Sequence, residues 1–156
     1  MSSCLEHLQG MSCLWFDVLV KRNVLVSMLA GTLFSVGWWL IIDAHARYPS
    51  EMSNAYYVCG VFGTLSLFMI NAVKNEHING QMSDGGFLGR GGAVGWLFIG
   101  FVMGFAAVIA ACCILFADFV AAEAQHHWPG VSIFLQNIFI FLGSLTYKFG
   151  RLEEMD

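Results

Sequence analysis

Residues 90–118 read RGGAVGWLFIGFVMGFAAVIAACCILFAD, so 27 uncharged residues separate Arg90 from Asp118. A bilayer's hydrocarbon core is about 30 Å thick, and about 20 apolar residues of helix cross it. This stretch is therefore read as a membrane span over about 93–117. It is longer than a perpendicular helix requires and is expected to tilt.

Three more stretches have the same character. Val24–Ile42 lies between Arg22 and Asp43 and holds ten Leu, Ile, Val or Phe residues. At roughly −0.3 to −0.6 kcal/mol each, these favour insertion by about 3 to 6 kcal/mol. The other spans are placed at about 56–73, ending before Lys74, and at about 131–147, ending before Lys148. The composition agrees. Of the 156 residues 58% are hydrophobic and 12% charged, against about half and about one quarter in soluble domains. The expected fold is all-α: a four-transmembrane-helix bundle forming a single membrane domain over 1–156. The net charge of −4 comes with no basic stripe, which argues against nucleic acid as a partner.

The first span has an alternative reading as a signal peptide, because Ala44-His45-Ala46 has the small-x-small form of a cleavage site. Its apolar run is longer than a signal core and about 23 residues precede it, so a retained anchor is expected. Lys and Arg mark the cytosolic side. Lys21 and Arg22 precede the first span, Lys74 and Arg90 lie between the second and third, and Lys148 and Arg151 follow the fourth. The other connectors carry only Arg47. Both termini are thus expected in the cytosol. Trp38, Trp39, Tyr56, Tyr57, Trp96 and Trp128 lie at span edges, where such rings favour the headgroup level.

Lipid tails are as apolar as leucine, so inserted helices associate through close packing of small residues and through hydrogen bonds. Gly100, Gly104, Ala107 and Ala111 form one such stripe, and Ser27, Gly31 and Ser35 another. Gly60, Thr64, Leu67 and Asn71 make a third face. These serve packing within the bundle or a dedicated face for another protein. The amides Asn71, Gln136 and Asn137 within spans need partners that lipid does not supply. No span carries a charge near its centre, which favours structural glue over an ion or proton pathway.

Asp43 and His45, directly after the first span, have metal-ligand chemistry. Asp118, Glu123, His126 and His127 on the other outer connector could add ligands, and in an acidic compartment the histidines would gain charge. The simpler reading is a capped helix end and solvated loop residues. The sequence calls for no cofactor, no metal and no catalytic residue. The connector Lys74–Gly92, which includes Gly86-Phe87-Leu88-Gly89-Arg90-Gly91, has neither the strand nor the Gly-Lys-Ser/Thr of a phosphate-binding loop and reads as a mobile linker. Leu5, Leu8, Trp15, Val18 and Leu19 suggest an amphipathic surface helix, weakened by Gly10. Of the five cysteines (4, 13, 59, 112 and 113), Cys4 and Cys13 are positioned for acylation or stand as free thiols.

Several polar landmarks recur in a recognisable order: Lys21-Arg22-Asn23, Gly37-Trp38-Trp39-Leu40-Ile41-Ile42-Asp43-Ala44, Cys59-Gly60 and Met69-Ile70-Asn71-Ala72-Val73. Trp96-Leu97-Phe98, Pro129-Gly130, Gln136-Asn137 and Lys148-Phe149-Gly150-Arg151 follow. With these the chain resembles the transmembrane protein 50 family along nearly its whole length. The resemblance implies a small four-span protein of endosomal, Golgi or endoplasmic reticulum membranes. It also implies kinship with a yeast vacuolar protein-sorting component, which pairs with another small four-span protein in traffic from late endosome to vacuole. The expected function is a non-enzymatic membrane subunit or adaptor in endosomal and late-secretory sorting. Its partners would be the lipid bilayer and another small multi-span membrane protein or a larger membrane complex. The alternative is a transporter, channel or lipid-handling protein.

Overall fold

The computed structural model describes the backbone of residues 2–74, 78 and 89–151, and side chains within these from residue 17 onward. Every regular element among them is helical: α1 (Ser2–Arg47), a 3₁₀ turn (Asn54–Tyr56), α2 (Tyr57–Ala72), α3 (Arg90–Ile114), a π-helical turn (Leu115–Val120) and α4 (Trp128–Gly150). Four of these stretches, Asp17–Arg47, Asn54–Ala72, Arg90–Val120 and Trp128–Gly150, are long and apolar enough to cross a membrane. α1 far overruns the expected span of 24–42, α4 exceeds 131–147 by three residues at each end, α2 lies within 56–73, and α3 begins three residues before 93 and with the π-helical turn ends three after 117. The 25 residues of α3 rise about 37 Å at 1.5 Å each, more than the hydrocarbon core alone requires.

The backbone of α1 runs straight through Gly10, where the sequence suggested a weak point. A lone helical glycine costs only about 1 kcal/mol relative to alanine. The proposed amphipathic face, apart from the exposed Val18 and the half-buried Leu19, falls on residues whose side chains lie outside the described set. So do Cys4 and Cys13, and so does most of the expected Lys74–Gly92 linker, whose last residues, Arg90–Gly92, are instead the first turn of α3.

α4 is the hub. α1 lies along it, α2 packs on α4 and on α3, and α3 also reaches α4. The most apolar stretch of α4 is 44% buried inside the protein, against 22% for each of the other three spans. Its sequence explains the position. Ser132, Gln136, Asn137, Ser144 and Lys148 are all buried, and a helix carrying that many polar groups cannot turn them to hydrocarbon. The outward surface is the reverse of a soluble protein's. Trp39, Phe98, Met28, Phe68 and Ile109 are each more than 60% exposed, a continuous apolar belt that suits lipid.

A hydrophobic cluster of Ile41, Met52, Ala111, Phe119 and Ile133 closes the Asp43 end of the bundle, with Trp38, Tyr56 and Tyr57 packed against it. The π-helical turn helps to build it. The amide of Ala121 reaches back five residues to the Phe116 carbonyl, at 2.8 Å. The extra residue in that turn accompanies Phe119 buried beneath the connector, beside Asp118 at the surface.

Candidate functional site

The small-residue faces have different fates. Gly100, Gly104, Ala107 and Ala111 of α3 are all buried, and they bring α3 close to α2 and α4. A Cβ on Gly104 would fall 2.7 Å from Ser66 Oγ and 2.8 Å from Phe141 Cδ2. A Cβ on Gly100 would meet Ile70 Cγ1 at 3.0 Å. Ser66 fastens this seam by donating to the Gly100 carbonyl at 2.6 Å. Gly60 of α2 is likewise buried, where a Cβ would stand 2.8 Å from Gln136 Cδ. In each case a missing side chain permits the backbone approach on which helix association in lipid depends.

The α1 stripe is left open. Ser27, Gly31 and Ser35 are all exposed, and a Cβ on Gly31 would meet nothing within 4 Å. Ser35 donates to the Gly31 carbonyl and Thr32 to the Met28 carbonyl, both at 2.8 Å, so these hydroxyls are satisfied on their own helix. α1 instead meets α4 through Val26, Ala30, Gly37, Ile41 and Ala44, one residue around the helix. Gly143 and Gly37 make that approach close. A Cβ on either would sit 3.1 Å from a backbone oxygen of the facing helix, that of Ala30 and of Gln136 respectively. Neither glycine was read from the sequence as a packing position.

The three span amides divide as well. Asn71 acts as interhelical glue, with Nδ2 donating to Ser144 Oγ at 3.3 Å and to its own helix at the Leu67 carbonyl, 2.8 Å. Asn137 donates only to the Ile133 carbonyl one turn back, at 2.9 Å. Gln136 is fully buried against Gly60, and neither end of its amide finds a hydrogen-bond partner among the described residues. Lys148, which the sequence placed just past the fourth span, is a buried residue inside α4. Its ammonium donates to the Val73 carbonyl at the end of α2, where the helix dipole favours a cation.

At the other end, Asp43 pairs with Arg47 at 3.0 Å on the same helix, and the His45 ring tilts against Tyr57, with centroids 5.8 Å apart. No three His, Cys, Asp or Glu side chains converge in a metal-binding arrangement among the described residues. The two connectors at this end are joined instead. His126 Nδ1 lies 2.8 Å from Glu51 Oε1 and its ring lies tilted against Tyr48, with centroids 4.4 Å apart. Tyr56 donates to Asp118 at 3.0 Å, and His127 Nδ1–H donates to the Phe119 carbonyl at 2.7 Å. Glu51 carried no signal in the sequence, because its partner lies 75 residues away.

Between α1 and α2 a recess of about 600 Å³ opens to the side, floored by Gly143 and Tyr147 of α4. Ser27, Gly31 and Phe34 line one wall, and Leu67, Phe68, Asn71 and Ala72 line the other.

Four apolar helices, an apolar outer belt and polar groups gathered on a central helix define a multi-pass α-helical membrane protein. A family model described as an uncharacterised protein family, UPF0220, matches residues 4–155. The chain is also 35% identical over 144 residues to the Transmembrane protein 50 homolog of Dictyostelium discoideum, covering 82% of this chain and 90% of that one. The chain belongs to the transmembrane protein 50 family. No solved structure matches it.

Proposed function

We propose that the protein is a non-enzymatic membrane subunit or adaptor in endosomal and late-secretory sorting. In this reading it acts by packing α1 against a helix of another multi-span membrane protein, with both termini in the cytosol. The observation that carries it is the uncovered Ser27–Gly31–Ser35 face. The α3 face and Gly60 of α2 are buried inside the bundle, whereas this one is exposed, with open space over Gly31. A small-residue face lets a second backbone approach closely, and this is the main way helices recognise one another in lipid. The trafficking role rests on the resemblance to a yeast vacuolar protein-sorting component. The collection of Lys21, Arg22, Lys74, Arg90, Lys148 and Arg151 at one end of the bundle supports the orientation.

The test is isolation of the full-length protein from native membranes in mild detergent. The wild type should carry a stoichiometric multi-span partner. Ser35→Phe places a ring on the exposed face and should release that partner while leaving the bundle folded. Recovery of the wild type as a partner-free monomer, or undiminished partner recovery with Ser35→Phe, would refute the reading. Protease protection of tags at the two termini checks the orientation separately.

A further inference from the structure

We propose that Glu51 and His126 form an acid-tightened clasp between the two outer connectors, drawn closed when His126 carries its proton and slackened when it does not. The pair joins residues 75 positions apart, with His126 Nδ1 2.8 Å from Glu51 Oε1. A carboxylate and an imidazole attract most strongly when the first is ionised and the second protonated. Isolated groups of these kinds meet that condition between about pH 4.3 and 6.5. Above that window a neutral ring still donates a hydrogen bond, but one roughly half as strong. Below it the carboxylate takes up a proton and the attraction is lost.

Three features fit the charged pair. Glu51 Oε2 is buried and has no hydrogen-bond partner among the described residues, so a neutral ring meets the carboxylate's charge only in part. The Tyr48 ring lies against His126 with centroids 4.4 Å apart, and a cation within about 6 Å of a tyrosine face is attracted to it. No other cation takes the place of His126. Both outer connectors are described throughout, and Arg47 is the one Lys or Arg in them. It is held by Asp43 at 3.0 Å on α1. Of the other titratable groups at this end, Tyr56 donates to Asp118, His127 spends its Nδ1–H on the Phe119 carbonyl, and His45 lies against Tyr57. Glu123 adds a further carboxylate on the connector of His126 itself.

The pair is tied on both sides to the hydrophobic cluster that closes this end. Met52, next to Glu51, is buried in that cluster together with Phe119, and His127, next to His126, is anchored to the Phe119 carbonyl. Opposing the clasp, Glu123 holds φ at 50°, a left-handed conformation that bulky side chains adopt reluctantly. Beside the pair a recess of about 340 Å³ is lined by Ser50, Glu51, Asp118, Ala124 and Gln125, so close packing does not join the connectors there. A strained connector held across a gap by one titratable pair is a two-state element that pH can bias. That this end meets an acidic lumen rests on the orientation proposed above; the response of the clasp to pH does not.

The experiment is hydrogen exchange with mass spectrometry on the full-length protein in micelles, read over residues 121–127 at pH 7.5, 5.5 and 3.5. Comparing the wild type with His126→Gln at one pH cancels the chemical pH dependence of exchange. Glutamine can donate to Glu51 at any pH but cannot gain charge. At pH 5.5 the wild-type connector should be protected about two- to fivefold better than that of His126→Gln, the scale of a partly exposed ion pair. At pH 7.5 and at pH 3.5 the two should agree, and Glu51→Gln should remove the difference at pH 5.5. Should either variant fail to fold, the wild type alone gives the reading: its protection, corrected for intrinsic exchange, should rise from pH 7.5 to 5.5 and fall again by 3.5. Equal protection of the wild type and His126→Gln at pH 5.5 overturns the proposal. So does a difference that persists in the Glu51→Gln background, or wild-type protection that is flat or falls between pH 7.5 and 5.5. The partner test above reads Ser35 on α1, so failure of one proposal leaves the other standing.

Discussion

Replacing Gly104 with alanine tests whether close backbone approach holds this bundle together. The added Cβ would stand 2.7 Å from Ser66 Oγ and 2.8 and 2.9 Å from two carbons of the Phe141 ring. Carbon atoms pack best at about 3.5–4.0 Å, so α3 must retreat by roughly 0.7–1 Å or the ring must leave its rotamer. Overpacking of that kind costs about 1–3 kcal/mol. The retreat also strains the Ser66–Gly100 hydrogen bond, for which an average membrane value is about 0.6 kcal/mol. The control lies on the same helix. A Cβ on Gly95 meets nothing within 4 Å, so Gly95→Ala changes only helix propensity, favourably by up to about 1 kcal/mol. The propensity gain is common to both substitutions and cancels, so Gly104→Ala should be less stable than Gly95→Ala by about 2–4 kcal/mol. Reversible unfolding in mixed micelles, or steric trapping in bicelles, measures the difference. Equal stability of the two variants would show that α3 is not held against Ser66 and Phe141 as described.

Three other substitutions probe separate parts of the structure. Lys148→Met removes the ammonium that bonds the Val73 carbonyl and should cost about 2 kcal/mol, the scale of a charged hydrogen bond. Hydrogen exchange should report faster opening of the last turn of α2, and unchanged exchange there would contradict the contact. Gln136→Met keeps the stem packed on Gly60 while removing an amide with no partner among the described residues. It should stabilise the protein by about 1–3 kcal/mol, and a destabilised variant would show that the amide is hydrogen-bonded after all. Glu51→Cys with His126→Cys should be joined by a short bis-maleimide, which adds one thiol at each end, since the native side chains lie 2.8 Å apart. Loss of the shift on a gel when either cysteine is omitted controls for off-site reaction, and no crosslink in the pair would place the two connectors apart.

The four helices were legible because lipid imposes one strong rule: about 20 apolar residues in a row. Which face of each helix turns inward was legible only in part. On α3 the regular Gly100–Gly104–Ala107–Ala111 spacing fell on the buried face. On α1 the equally regular Ser27–Gly31–Ser35 spacing did not. A competing face, Ala30–Gly37–Ala44 with Val26 and Ile41, lies one residue away and is the one that meets α4. Hydrophobicity cannot choose between two such faces in a solvent as apolar as the side chains. The choice depends on the complementary surface, here Gly143 of another helix. The Glu51–His126 contact and the capping of α2 by Lys148 are pairings across the fold, each 75 residues apart, and no local pattern encodes them.

The same physics constrains what an exposed α1 can do. Lipid-facing serines are tolerated when their hydroxyls are satisfied, and Ser35 meets that need by bonding back to Gly31 at 2.8 Å. α1 is therefore compatible with lipid even without a partner, and no unsatisfied group drives association at that position. What a partner would gain is dispersion from close backbone contact, spread over several small residues, each contributing little. Trimming Ser35 to alanine leaves such a face almost unchanged, whereas phenylalanine forces the backbones apart along its whole length. A steric substitution, not a polar deletion, is thus the discriminating test of the proposed interface. Because Ser35 spends its hydroxyl on its own helix, recognition at that position would be set by shape.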